Sequence, residues 1–536
     1  MYGWNFGDIL DGVASVTPDD APAFIHGHRL IRWGDATARS NRLARALIAG
    51  GAAPGDKVAF YMHNRPEYVE TLAACLKARL THVNVNYRYT PDEVFYIFDN
   101  SDAQAVVYGE EFRRSIEAIR PRLTKVKTFI EVGAGCDFAD AFEDVVGSGD
   151  ASPLDITRDP QDQFFIYTGG TTGMPKGVMW THDDMRQITL RALRALGPVP
   201  ETLEELVAFH KATGPGPAAV IGPPLMHGTG LLTAMGAHLG GGAVITLPSL
   251  HFSAEEMLDN IDQWKPASVC IVGDPFARPL AEALERDPGR WDVSSVQRIT
   301  SSGVMWSLEV KRTLLKHMPQ AALADAFSSS EALGLGTSIM TAAGEIQTAK
   351  FMLGDRARVF DENDQPVTPG SGVRGMVAVG PPNPIGYYKD PEKTERTFRV
   401  IDGVRYSIPG DWCIVEADGS LTLLGRGNAC INTAGEKVFP EEVEEALKTH
   451  PDVEDALVVG LPDPKWGQSV TGVVRLYPGK TLDEGALVAH VRQSLAAYKS
   501  PKRIVTGEVN LRAPNGKADY KSATTFAAEK LAPAAE

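Results

Sequence analysis

The stretch Phe165-Ile166-Tyr167-Thr168-Gly169-Gly170-Thr171-Thr172-Gly173-Met174-Pro175-Lys176-Gly177 sets glycines, threonines and one lysine directly behind an apolar, β-prone run. It reads as a phosphate-gripping loop at the end of a strand. Glycines let successive backbone N–H groups turn toward one anion, threonine hydroxyls add donors or a metal contact, and Lys176 supplies charge. The anion that suits such a loop is the triphosphate of ATP. The order is not that of a P-loop NTPase, which needs glycine directly before the lysine and a hydroxyl after it. Here Pro175 precedes Lys176 and Gly177 follows.

Outward from this run, helix, turn and strand signals alternate. A helix is predicted from 33 to 47, then a turn cluster at 50–56, a buried strand at 57–62, a helix at 66–79 and a strand at 82–87. Thr90 as N-cap and Pro91 at the first helical position open a helix to 101. This alternation predicts stacked α/β layers. Two Pro- and Gly-rich stretches at 197–200 and 214–217 bracket a short helix at 201–211, read as a surface excursion. Strands at 243–247 and 267–272 flank a helix at 254–264. Near Gly425 the character changes, and Pro440-Glu441-Glu442 opens a helix with acids in its first turn. Strands follow at 453–461 and 470–477, then a helix at 482–495, and the Ala-rich end from Ala523 reads as a loosely held tail.

At 536 residues the chain is longer than one core usually supports, so at least two domains are expected. The 68 acidic against 53 basic residues leave a net charge of -15, with no basic patch for nucleic acid or anionic lipid. Any phosphate site must therefore be local. Five scattered cysteines without C-x-x-C spacing support neither a disulfide framework nor a zinc site, which fits a reducing cytoplasm. The first residues lack a basic region followed by an apolar core, and no apolar run reaches about 18 residues. A soluble, unprocessed cytoplasmic chain is expected, with a homodimer left open.

Further segments stand in a fixed order behind the first. They are Asp325-Ala326-Phe327-Ser328-Ser329-Ser330-Glu331, then 406–411 ending in Asp411, then Gly425-Arg426 with 435–444, then Pro514-Asn515-Gly516-Lys517. With the glycine-rich run they resemble the acyl-adenylate-forming superfamily of acyl-CoA synthetases, peptide-synthetase adenylation domains and luciferases. Asn84-Val85-Asn86-Tyr87-Arg88-Tyr89, Gly177-Val178-Met179-Trp180 and Gly386-Tyr387-Tyr388-Lys389-Asp390 are further similar to bacterial ligases for fatty acids and steroid side-chain acids. The resemblance implies a large multilayer α/β N-terminal domain, 1–427, and a smaller mobile α+β C-terminal domain, 428–536. It also implies two half-reactions. A carboxylic acid and ATP give acyl-AMP and pyrophosphate, and acyl-AMP with CoA gives the thioester and AMP.

Roles carry over residue by residue. Glu331, helped by Thr168, is the implied Mg²⁺ ligand, and Ser330 contacts the α-phosphate, a donor set that suits a hard cation. Phe327 stacks on adenine with Asp325, Ala326 and Ser302-Gly303-Val304 nearby. Asp411 grips the ribose hydroxyls with Arg426, and Asn432 joins the nucleotide set. Lys517 reaches the carboxylate and α-phosphate during adenylation as the main electrostatic catalyst. His227 matches the residue that gates the acyl pocket, with Gly228-Thr229-Gly230 behind it. Gly435-Glu436 border the pantetheine tunnel for CoA.

Two departures stand out. Ser328 replaces a glycine that lines the family's acyl pocket, and Asn428 replaces the Asp or Lys of the rotation hinge. Read alone, His227 is a packed or capping histidine, and Met305-Trp306 are core or pocket wall. Three rivals are a freestanding enzyme loading a carrier protein, a luciferase-like oxygenase, and a non-enzymatic nucleotide-binding protein. The last would be expected to have lost Lys517 or Glu331.

Overall fold

The computed structural model describes residues 4–532 except 171–172, 195–196, 305, 345–349, 427–430, 434–435, 439, 464–466, 496 and 514–517. Met305, Asn428, Gly435 and Lys517 therefore lie outside the described residues. The chain forms two compact units, one of Met1–Thr348 with Val379–Ser407, the other of Ala349–Ala378 with Ile408–Glu536. The large unit is α/β and the smaller one α+β.

In the large unit, Thr81–Asn84, Lys57–Tyr61, Ala103–Gly109, Thr128–Val132 and Asp140–Ala141 form a five-stranded parallel sheet in that order. Its central strands are continuous apolar runs, as burial on both faces demands. The helices Pro66–Lys77 and Pro91–Asn100 make the crossovers. Thr90 caps the second, as the sequence predicts, and the structure adds Glu93, which closes a reciprocal capping box with it. The predicted strand at 82–87 stops at Asn84, because Asn86 turns the chain: its Oδ1 accepts the Arg88 N–H at 2.9 Å.

A second sheet runs Arg29–Arg32, Pro22–His26, Val244–Thr246, Ala219–Ile221, Ser268–Ile271, Arg298–Ser302, Ala322–Ser329 and Ala332–Met340, parallel except at its two ends. Its two last parallel strands end at Ser302 and near Phe327, and the carboxyl ends of parallel strands are where α/β folds place ligands. The excursion at 197–217 is a helix, Leu203–Thr213, capped by Thr202 and without a buried residue.

Asn84, the last residue of its strand, joins distant parts of this unit. Its Oδ1 accepts the Tyr167 N–H at 2.7 Å, while its Nδ2 donates to the carbonyls of Tyr167 at 2.9 Å and Met226 at 2.7 Å. Asn64 does the same for the preceding residues, accepting from Leu225 N–H and donating to the Pro223 carbonyl.

In the smaller unit, Lys350–Leu353, Ser420–Arg426, Asp411–Val415 and Arg374–Val379 pair in sequence. A separate sheet orders Glu436–Val438, Ile431–Thr433, Gly467–Leu476 and Val453–Asp463, with Arg503–Thr506 parallel on its third strand. The expected loose tail is a helix instead, Tyr520–Leu531, capped by Asp519. Ala523 and Ala527, fully buried, pack with Leu457, Val459 and Val473 of the sheet. Small side chains four residues apart let helix and sheet approach closely, so the alanines that read as a loose tail are packing residues.

The helix Pro440–Lys448 presents two acids inward. Glu444 is buried and accepts the Val458 N–H at 2.9 Å. Burial pushes the Glu441 carboxyl up to about 8, and the neighbouring Glu444 and Asp411 charges push the same way.

Two outcomes follow from these polar groups. Asn84→Ala strips partners from three buried backbone groups and is expected to cost about 3 kcal/mol of stability, seen as a lower thermal midpoint; a wild-type midpoint would contradict the role given to this amide. For Glu441 the sign is that of a raised acid. The unfolded chain releases its proton near the ordinary 4.5 and the folded chain near 8, so stability falls as pH rises through that window. Glu441→Gln should melt above wild type at pH 8, with the gap closing toward pH 4.5, in a melting series against pH.

Candidate active site

The glycine-rich motif is mostly strand. Gln163–Gly170 and Gly173–Thr181 form an antiparallel hairpin with Thr168 opposite Lys176 and Gly170 opposite Gly173. Thr171 and Thr172 lie outside the described residues. The pairing extends further than the expected loop because Gly177 faces Tyr167: a Cβ at Gly177 would lie 2.7 Å from the Tyr167 ring, so glycine lets that ring lie across the neighbouring strand. Lys176 forms an ion pair with Asp390, the capping residue of the helix Pro391–Thr397.

The second predicted segment is also a hairpin. Ala322–Ser329 and Ala332–Met340 run antiparallel, and Ser330-Glu331 make the turn. Three side chains from distant parts of the chain hold that turn. Trp180 Nε1 donates to the Ser330 carbonyl at 2.9 Å, Ser407 Oγ to the Glu331 carbonyl at 2.6 Å, and the Tyr387 hydroxyl to Glu331 Oε1 at 2.8 Å. Trp180 sits on the strand that carries Lys176, so the glycine-rich hairpin and the Glu331 turn are neighbours. Ser328, the departure from the family's glycine, accepts the Gly334 N–H at 3.1 Å. Its hydroxyl is used within its own turn.

Phe327 is half-buried opposite Gly336. Asp325 is buried, with Lys311 Nζ at 2.9 Å; burial raises its carboxyl and the lysine pulls it back. Ser302 Oγ donates to the Ala326 carbonyl at 2.8 Å and ties the ends of the two parallel strands. Gly303 follows at φ +90°, a left-handed conformation that glycine adopts freely, and Val304 is half-buried. Trp306 is core, as read from the sequence.

His227 stands at the N-cap of the helix Gly228–Leu239, but its side chain makes no capping bond. A Cβ at Gly230 would lie 2.7 Å from the Pro224 carbonyl, so this helix start rests against the backbone that Asn64 and Asn84 hold. Thr229 follows Gly228 in its first turn.

In the smaller unit, Asp411 and Arg426 face each other on paired strands. Asn432 is the register partner of Lys437, and Thr433 of Glu436, on two antiparallel strands. The isolated bridge Arg512 to Ala518 closes the base of the segment that carries Lys517, and Arg512 binds Asp455 through two nitrogens at 2.8 and 2.6 Å.

Asn84, Trp180, Tyr387, Asp390 and Ser407 had no role in the sequence reading. The first four lie in motifs that the sequence offered only as points of resemblance. Among the described residues no group of three His, Cys, Asp or Glu side chains could hold a metal. A single half-buried carboxylate beside a hydroxyl-bearing hairpin instead fits Mg²⁺ that arrives on the nucleotide and keeps its other ligands from phosphate and water. Cys75, Cys136, Cys270 and Cys413 carry free thiols, and no described helix is long and apolar enough to cross a membrane.

The family model for AMP-binding enzymes matches residues 10–388, and that for the AMP-binding enzyme C-terminal domain matches 442–517. A medium/long-chain-fatty-acid–CoA and 3-oxocholest-4-en-26-oate–CoA ligase of Mycobacterium marinum is 38% identical over 532 residues, covering 96% of this chain and 95% of the relative. A 3-oxocholest-4-en-26-oate–CoA ligase of Rhodococcus rhodochrous is 38% identical over 534 residues, with 96% and 95% covered. The fold matches ATP-bound MatB of Rhodopseudomonas palustris at a TM-score of 0.81 and 23% identity, covering 98% of this chain and 99% of that one. Both domains in order, the two hairpins and likeness along nearly the whole chain lead to one statement: the chain belongs to the AMP-binding enzyme family.

Proposed function

We propose that this protein is an AMP-forming acyl-CoA ligase for bulky apolar acids, medium- to long-chain fatty acids or steroid side-chain acids. The observation that carries the reading is the pinned Glu331 turn beside the Thr168–Lys176 hairpin, in a chain similar over nearly its whole length to such ligases. The small and apolar residues Gly228-Thr229-Gly230-Leu231-Leu232, with no cation among them to pair a second carboxylate, support an apolar acyl group. The boundary between the catalytic domains is proposed at 427/428, with Asn428 as hinge. The free thiols support a cytoplasmic setting.

A carboxylate resists a thiol because it would have to expel oxide. In the first half-reaction a carboxylate oxygen bonds to the α-phosphorus and the bond to pyrophosphate breaks. Lys517 offsets the charge of the two meeting anions, while the 168–176 hairpin and Ser330 hold the phosphates. Glu331 and Thr168 would hold the Mg²⁺ of the nucleotide, which offsets charge on the leaving pyrophosphate. Phe327, with Asp325, Ala326 and 302–304 around it, takes the adenine, and Asp411, Arg426 and Asn432 take the ribose side. In the second half-reaction the CoA sulfur bonds to the acyl carbon, the bond to AMP breaks and the thiol gives up its proton; Gly435-Glu436 border the path of CoA and His227 the mouth of the acyl pocket.

AMP release measured over acetate, octanoate, palmitate, a hydroxycinnamate and a steroid side-chain acid, with and without CoA, tests the reading. Steady turnover should need CoA, and kcat/KM should be lowest for acetate, since each buried methylene adds about 0.8 kcal/mol. Acetate or the hydroxycinnamate leading would overturn the substrate class, and turnover with a carrier protein but not CoA would favour the carrier-loading rival. Lys517→Ala should slow acyl-AMP formation by about 100-fold or more while thioester formation from supplied acyl-AMP persists. Unchanged pyrophosphate release would remove Lys517 from the first step.

A further inference from the structure

The short strand Gly386–Tyr387 adds a third strand to the phosphate hairpin, with Gly386 opposite Met179 and Tyr387 opposite Val178. Backbone bonds from Ile385 N–H to the Met179 carbonyl at 2.7 Å and from Tyr388 N–H to the Gly177 carbonyl at 2.8 Å clamp it on both sides. From this clamped segment two side chains reach the two charged groups proposed for the triphosphate and its metal. The Tyr387 hydroxyl donates to Glu331 Oε1, and the Asp390 carboxylate pairs with Lys176.

Both reaching groups are fixed. The Tyr387 side chain is buried, its N–H donates to Thr394 Oγ1 at 2.9 Å, and the Lys393 ammonium stands 4.2 Å from its ring centre. Asp390 accepts the Lys393 N–H at 2.9 Å as a helix cap. Glu331 and Lys176, by contrast, end long rotatable side chains. A carboxylate that accepts a fixed hydroxyl on one oxygen presents the other in one direction. An ammonium with one N–H on a fixed carboxylate keeps two for phosphate.

We propose that Tyr387 and Asp390 are positioning residues for ATP binding: Tyr387 aims the Glu331 carboxylate at the nucleotide-borne metal, and Asp390 holds Lys176 toward the β- and γ-phosphates. The proposal rests on the adenylating reading of the site. Neither residue touches substrate. A merely structural brace would lower stability and weaken all ligands alike, whereas positioning affects the metal and the outer phosphates selectively.

Tyr387→Phe keeps the packed ring and deletes the hydroxyl. Asp390→Asn keeps an oxygen for the cap and deletes the charge. Mn²⁺ affinity in the presence of β,γ-imido-ATP, read by electron paramagnetic resonance, should fall about 10-fold in Tyr387→Phe. Calorimetric affinity for the Mg²⁺ complex of β,γ-imido-ATP should fall by about the same factor in Asp390→Asn, as for loss of other outer-shell partners. AMP affinity should hold at the wild-type value in both. Unchanged metal and triphosphate binding, equal losses for AMP and the ATP analogue, or tighter analogue binding in Asp390→Asn would overturn the proposal. Wild-type protein that binds neither nucleotide would instead remove the adenylating reading itself.

Discussion

One carboxamide holds the large unit's functional pieces in register. Tyr167 and Met226 are 6% and 2% exposed, so water does not serve their backbone groups, and each must find a partner inside the protein. Asn84 supplies three bonds from a single planar group at the end of a buried edge strand, which pairs in its own sheet only with Lys57–Tyr61. The phosphate hairpin and the 223–227 loop thus take their positions from a sheet to which neither belongs. An aliphatic residue of similar size would fill the space and leave three polar groups stranded, which is why the buried end of this strand is polar.

Charge in the large unit follows the same logic of local matching. The chain is acidic as a whole, yet cations in this unit are held by particular carboxylates: Lys176 by Asp390, Lys311 by Asp325. Buried or half-buried ion pairs contribute little net stability against hydrophobic packing, but they fix where a cation stands. The Asp390 carboxylate thus fixes where the Lys176 charge stands, whatever the balance of charge on the surface.

What the sequence made legible was local: the glycine and threonine pattern of the hairpin, the capped helix after Thr90, the alternation of helix and strand. The capping box needs only residues three apart, and periodicity needs only a dozen. The contacts that make the site are different in kind. Lys176 meets Asp390 across 214 positions, Tyr387 meets Glu331 across 56 and Asn84 meets Met226 across 142, and no pattern within a window reports such pairings. The misread tail has a related cause: Ala523 and Ala527 look featureless in composition, and only the strand beneath them turns small size into close packing. The bond of Ser328 Oγ to the Gly334 N–H is likewise visible only in three dimensions.

The strand Gly386–Tyr387 is two residues long, and its side chains alternate between faces. Sliding it by one position against Val178 and Met179 would send the tyrosine to the opposite face and bring a neighbour toward Glu331. The number of residues leading into it is therefore constrained more tightly than their identity. Substitutions at exposed positions such as Ile385 can accumulate, whereas a single insertion or deletion between Asn383 and Tyr387 would disconnect the Glu331 carboxylate from its hydroxyl partner without altering any residue of the glycine-rich hairpin.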